Sequence, residues 1–417
     1  YCTSVLISIL LCLKYRYLSL LYLPFVLIFI EIIRIFIESL SINTDGFNGI
    51  IFLVLTIFVS FNLHFINNKK CLILISLVAL LTIYLLLRLS PELHFFNKLT
   101  RLGSFALILL LIPVSFCNSI YITEKSIKNM IVNLYHIFFI YVSLACIFKF
   151  GPNHYNTNIV FGFKFEQWYF GALLLIIYPS SFLNTRTNII KYAFYFFCVL
   201  LLLLSLRRTV WFILVFTYFT ILIVMGKELL RIQLLSRMIV ICIFLLFTGF
   251  IILTSNIWSI RGYRSLDLDY VGSEEYRNEG RFQELEKTFN LLTDSNQFLF
   301  GTGFLFDEAG KYGFSRSNRP IHGTYTKLFF GAGFLGFLFY LYYLLLCLKY
   351  SYSHIIKINY FYAAVFSSFI SYLFVLMTGA SGHNVSAPYV ATLFILIGYL
   401  MSININIIQI DWRCLKV

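Results

Sequence analysis

Six arginines gather in one polar stretch of this chain, at Arg261, Arg264, Arg277, Arg281, Arg316 and Arg319, and that stretch runs directly into His322. Guanidinium groups bind phosphate oxygens two at a time, and a neutral imidazole accepts a proton near neutral pH. The combination suits an anionic substrate whose reaction needs a base. His322 follows Pro320 and opens the segment HGTYTKLFFGAGFLGF. That position predicts a helix N-terminus, where the dipole and the neighbouring arginines favour the neutral ring. A hydrogen-bonded interfacial histidine is the plainer alternative. His94, His154 and His383 lack arginine company and metal-ligand spacing, so no metal site and no cofactor is expected.

A second cationic feature is the pair Arg207 and Arg208 in LLLLSLRRTVW, between two apolar runs with almost no loop to hold them. Long cationic side chains at helix ends commonly reach for the interface, and a pair of such anchors is one reading. A cationic floor for an anionic headgroup is the other.

The elements that must position these groups are helical. In RFQELEKTFNLL, Phe282, Leu285, Phe289 and Leu292 recur at helical spacing, with Arg281, Glu284 and Thr288 on a different face. This predicts a short amphipathic helix lying at a water–membrane interface, with Arg281 in its first turn. An Arg281–Glu284 surface pair is the bland alternative. Gly301 and Gly303 in LFGTGF allow a tight reversal or a close backbone approach. Gly331, Gly333 and Gly336 spell GxGxxG, but no strand precedes them and they lie in an apolar run, which excludes a dinucleotide fingerprint. Small residues that let two membrane helices approach closely account for them better.

The setting is a bilayer. Of the 417 residues 60% are apolar and only 12% charged, and the mean hydropathy is +0.86. Those values exclude a soluble globular domain. The net charge of +14 sits mostly in short loops between apolar runs, where lysine and arginine set topology, so nucleic acid is not expected as a partner. Nine cysteines with no CxxC pair read as small core hydrophobes.

A hydrocarbon core of about 30 Å takes roughly 20 helical residues. Spans are predicted near 1–13, 17–38, 49–66, 71–89, 102–120, 131–149, 168–183, 192–206, 209–225, 238–256, 322–348, 359–378 and 388–408. The expected fold is therefore an all-α polytopic membrane protein of about 12–13 transmembrane helices. It divides into an N-terminal bundle (1–256), one large loop (257–321) and C-terminal helices (322–417) of a single integral membrane domain. Every second loop carries at least two cations, from Lys14 and Arg16 through Lys69 and Lys70 to Arg413 and Lys416, and these loops are assigned to the cytoplasm. The large loop then faces outward and the C-terminus inward. No cleavable signal peptide is expected, and the apolar run Val5 to Leu13 reads as the remains of a longer helix.

Three stretches together resemble the O-antigen ligase and polymerase superfamily of bacterial envelope enzymes. SLRRT is similar to that family's serine–arginine helix start, with Arg208 at the arginine position. EGRFQELEKTFNLLTDSNQFLFGTGF is similar to its arginine helix and glycine block, and IHGTYTKLFFGAGFLGFLFY to its histidine helix. The likeness covers roughly residues 200–345, with Gly323 where the family usually has Asn, Leu285 or a neighbour where it has Trp, and Ser295 to Gln297 where it has a Pro segment.

The resemblance implies packed transmembrane helices in the bacterial inner membrane with the large loop in the periplasm. It also implies metal-independent glycosyl transfer from an undecaprenyl-diphosphate-linked glycan. Arg208 and Arg281, with Arg207 beside them, would hold the diphosphate. His322 would be the catalytic base, and Gly301, Gly303, Gly333 and Gly336 would shape the surroundings. A chain-length regulator and a flippase of the same pathway are the implied protein partners. The short outward loop favours a polymerase over a ligase that moves finished polymer to lipid A-core. Capsule or exopolysaccharide polymerisation fits the same residues. A lipid-linked glycan transporter fits less well, because the charges crowd one interface and no repeat is visible.

Overall fold

The computed structural model describes residues 2–39, 47–63, 68–89, 95–148, 165–181, 189–204, 208–225, 280–303, 323–352, 359–378 and 387–414. Among them the protein is all-helical, with no strand. The first nine helices are α1 (Cys2–Tyr15), α2 (Leu23–Ser39), α3 (Phe47–Asn62), α4 (Lys69–Leu87), α5 (Phe95–Asn118), α6 (Glu124–Phe148), α7 (Phe165–Ile177), α8 (Ile189–Leu204) and α9 (Arg208–Met225). After them come α10 (Gly280–Asp294), α11 (Thr324–Tyr352), α12 (Tyr360–Thr378) and α13 (Ala387–Cys414). The expected span 238–256 lies outside the described residues.

Among the described residues four helical stretches are long and apolar enough to cross a membrane: Lys69–Leu87, Lys98–Tyr121, Glu124–Leu144 and Thr324–Tyr352. Shorter apolar helices accompany them, including Phe47–Asn62, Val210–Met225 and Tyr360–Leu376. The expected span 17–38 starts differently. Residues Arg16–Tyr22 form a 3-10 turn and the α-helix begins at Leu23, one residue before Pro24, whose missing N–H costs nothing in a first turn.

Helix α5 is the hub, packed on α3, α4 and most extensively α13. Pro113 lies inside it and cannot donate to the carbonyl of Leu109 one turn earlier. In a bilayer an orphaned carbonyl costs several kcal/mol, roughly, and the Tyr343 hydroxyl of α11 takes it at 2.6 Å. Gly398 lets α13 approach this proline-containing segment closely, since a Cβ there would stand 2.3 Å from the Ile112 carbonyl oxygen. Ser115 also donates to the Ile395 carbonyl at 2.7 Å. Cys71, Cys117, Cys198 and Cys347 are buried free thiols within this apolar core, as their spacing suggested.

At the opposite end from the site described below, polar side chains tie helix ends together. Asn62 donates to Ser19 at 2.9 Å and Asn118 to the Asn62 carbonyl at 3.0 Å. Glu124 accepts from Lys128 at 2.6 Å, from Asn359 at 3.2 Å and from the Tyr362 hydroxyl, joining α6 to the start of α12.

Candidate functional site at the broken helix

Helix α11 is interrupted. Gly333 has φ 68° and ψ −170°, a region open essentially to glycine alone. In an unbroken helix residues 325 and 340 would lie about 22 Å apart along the axis. Here the Tyr325 ring sits 6.2 Å from that of Tyr340 and 5.5 Å from that of Phe337. The head of α11, residues 324–332, is therefore turned sharply across the longer segment that follows. The expected span near 322–348 is found as Thr324–Tyr352, with this break inside it.

Breaking a helix exposes carbonyls on one side and N–H groups on the other. The loop after α10 supplies their partners. The Phe330 carbonyl accepts from the Thr302 N–H at 2.9 Å and the Thr302 hydroxyl at 3.0 Å, and the Gly331 carbonyl from the Gly303 N–H at 2.8 Å. In return the Phe334 N–H donates to the Phe298 carbonyl at 2.9 Å and the Leu335 N–H to that of Leu299 at 3.2 Å.

This fit demands glycine on both sides. Gly301 and Gly303 have φ 72° and 81°. A Cβ on Gly301 would stand 2.3 Å from the Gly333 nitrogen, and one on Gly333 2.4 Å from the Gly301 nitrogen. The two glycine motifs, read separately in the sequence, are halves of one interlock. Gly336 serves the helix-approach role expected of the GxGxxG run, lying against the Tyr84 ring of α4 and Ala332.

Helix α10 delivers the loop. Asn296 adopts the left-handed conformation with φ 56°, the Gln297 N–H bonds the Leu292 carbonyl at 2.9 Å and the Asn296 N–H that of Thr293 at 3.2 Å. These are the two bonds of a Schellman cap with asparagine in glycine's usual place. Phe298 then packs against Phe289, Phe329 and Phe334, with ring centroids 5.4–5.7 Å apart.

The apolar stripe read from the sequence of α10 is split. Thr288 and Leu292 are fully buried, whereas Leu285 and Phe289 are about half exposed (52% and 50%), alongside exposed Glu286 and Lys287. Helical register puts position 281 on the Thr288 stripe, two turns earlier.

Of the residues singled out from sequence, Gly301, Gly303 and Gly333 are brought together at the break. Arg208 is the first residue of α9 and Arg281 the second of α10, their side chains lying outside the described set. His322 and Arg207 also lie outside the described residues. The chain next to His322 is placed: Gly323 is buried and its carbonyl accepts the Lys327 N–H at 2.9 Å. Helix α10 packs on α11, and α9 on α12, which in turn packs on α11.

Two residues that sequence reasoning passed over complete the arrangement. Arg88, just past α4, donates through Nε to the Phe300 carbonyl at 3.0 Å and through Nη2 to that of Gly301 at 2.6 Å. Tyr84, one turn earlier, donates to the Ala332 carbonyl at 2.6 Å. A signal for Arg88 existed: it stands at the end of a span assigned to the outward side, against the positive-inside trend. Thr324 and Lys327 on the head of α11 are also buried, at 1% and 4% exposure. No known protein family, curated protein or solved structure matches the chain.

Proposed function

We propose that the protein is a surface-polysaccharide polymerase of the O-antigen type, joining undecaprenyl-diphosphate-linked repeat units on the periplasmic face of the bacterial inner membrane. The observation that carries the reading is the interlock. It joins the helix bearing Arg281 to the head of the helix that follows His322, the two stretches to which the resemblance gives opposite halves of one reaction. In that reaction His322 takes the proton of an acceptor sugar hydroxyl, and the hydroxyl oxygen forms a new bond to the donor's anomeric carbon. The bond from that carbon to the diphosphate breaks, and the diphosphate leaves as an anion held by Arg208 and Arg281 with Arg207 nearby. A leaving group of that kind needs electrostatic support more than protonation.

Discontinuous helices also occur in transporters, where the break lies near the bilayer midplane. Here it sits beside Tyr84 and Arg88, at the last turn of α4, which favours chemistry at an interface. Deleting the gene tests the polymerase reading against its relatives. A lipopolysaccharide profile reduced to core plus one repeat supports it. Bare core with accumulated lipid-linked polymer would instead make the protein a ligase, and an unchanged profile with altered capsule or exopolysaccharide would move the substrate there.

Two further outcomes follow. A cysteine introduced at Asn318 is expected to react with a membrane-impermeant thiol reagent in intact spheroplasts, and one at Asn68 is not, once native thiols are masked. The reverse pattern would invert the topology and end this mechanism. Arg208→Lys and Arg281→Lys keep charge but lose the planar fork, so polymer output falls severely at normal membrane level, while Arg207→Lys is better tolerated. Full output from both of the first two variants would make those arginines structural.

A further inference from the structure

Both side-chain hydrogen bonds that Arg88 makes to described residues fall on the one turn that fills the broken helix. The positive φ of Gly301 turns the backbone there so that N–H groups face Gln297 and α11. The carbonyls of Phe300 and Gly301 are thereby left for Arg88. A guanidinium presents its N–H donors in a rigid plane and can hold two carbonyls in a fixed mutual geometry, which an ammonium cannot.

We infer that Arg88 is a positioning residue: by bonding the Phe300 and Gly301 carbonyls it anchors the interlocked loop to α4, and so fixes the C-terminal end of α10 and the head of α11 against the membrane bundle. Tyr84 acts from the same face one turn below, on the other side of the break. Loss of Arg88 leaves the loop attached to α11 through its backbone bonds, with α11 held to α4 by Tyr84, but removes the loop's own bonds to α4 and so loosens its placement there. The kinetic part of this inference rests on the glycosyl-transfer reading, since the chain segments held in place are those that carry Arg281 and adjoin His322.

The test uses spin labels on cysteines at Glu286, exposed on α10, and Leu72, exposed on α4, with the native thiols replaced. In the parent protein the inter-label distance distribution is narrow. Arg88→Met is expected to broaden or shift it, with Arg88→Lys intermediate. For the purified protein turning over a lipid-linked donor, Arg88→Met is expected to lower kcat about a hundredfold, the scale of a misplacement near 1 Å, while KM stays within about twofold.

An unchanged distance distribution in Arg88→Met would overturn the anchor, whatever the kinetics. A broadened distribution with unchanged kcat would overturn the link to the reaction. If Arg88→Met fails to reach the membrane, the same readings on Arg88→Lys decide. A parent protein inert toward lipid-linked donors would sink the glycosyl-transfer reading instead, and the distance measurement would still decide the anchor.

Discussion

A His322→Ala enzyme is expected to lose about a hundredfold to ten-thousandfold in transfer rate, the usual contribution of a positioned general base. Binding of the lipid-linked donor should survive, because the proposed mechanism assigns the diphosphate to the arginines and a base acts mainly in the transition state. The expectation follows from where the chain puts this residue. His322 immediately precedes buried Gly323 and the buried, turned head of α11, which the glycine interlock locks to the α10 loop. His383→Ala should leave most of the activity. Near-normal turnover by His322→Ala would remove the base assignment and make Glu279 or Glu284 of the same loop the next candidate.

Gly333→Ala carries the largest structural effect. Its backbone conformation alone costs a non-glycine residue about 1–3 kcal/mol. The added Cβ would also meet rigid backbone, at 2.4 Å from both the Gly301 nitrogen and the Leu299 oxygen. Neither can yield without breaking the bonds that fill the helix break. Thermal unfolding in detergent should show a large loss of stability, matched by Gly301→Ala, whose Cβ would meet the Gly333 nitrogen at 2.3 Å. Gly49→Ala in α3 is the control: its Cβ enters open space, and the change should be neutral or stabilising by up to about 1 kcal/mol. Equal melting of Gly333→Ala and Gly49→Ala would contradict the interlock.

The contrast between these glycines shows what the sequence conveyed and what it did not. Composition and run length fixed the helical membrane class and placed several helices within a residue or two, such as 71–89 against Lys69–Leu87 and 359–378 against Tyr360–Thr378. The break in α11 was hidden because FFGAGFLGFLFY is continuously apolar, and a glycine's φ leaves no trace in hydropathy. Its plug comes from residues 298–303, some thirty positions earlier, and its anchors Tyr84 and Arg88 from more than two hundred earlier. Contacts of that range have no local signature. The burial of Leu292 beside Thr288 was hidden for a different reason: helical spacing groups Leu292 with Leu285 and Phe289, and which positions are covered is set by tertiary packing on α11. The arginines and His322 stand out in the sequence because charge in so apolar a chain is conspicuous, and their side chains lie outside the described residues.

The most direct measurement of the central claim is elongation in proteoliposomes that contain this protein as the only enzyme and a lipid-linked repeat unit as the only glycan. The account predicts a ladder of products differing by one repeat, formed without lipid A-core and persisting under excess chelator. A donor that binds yet remains a single unextended band, in vesicles where the protein is folded and correctly oriented, would contradict it.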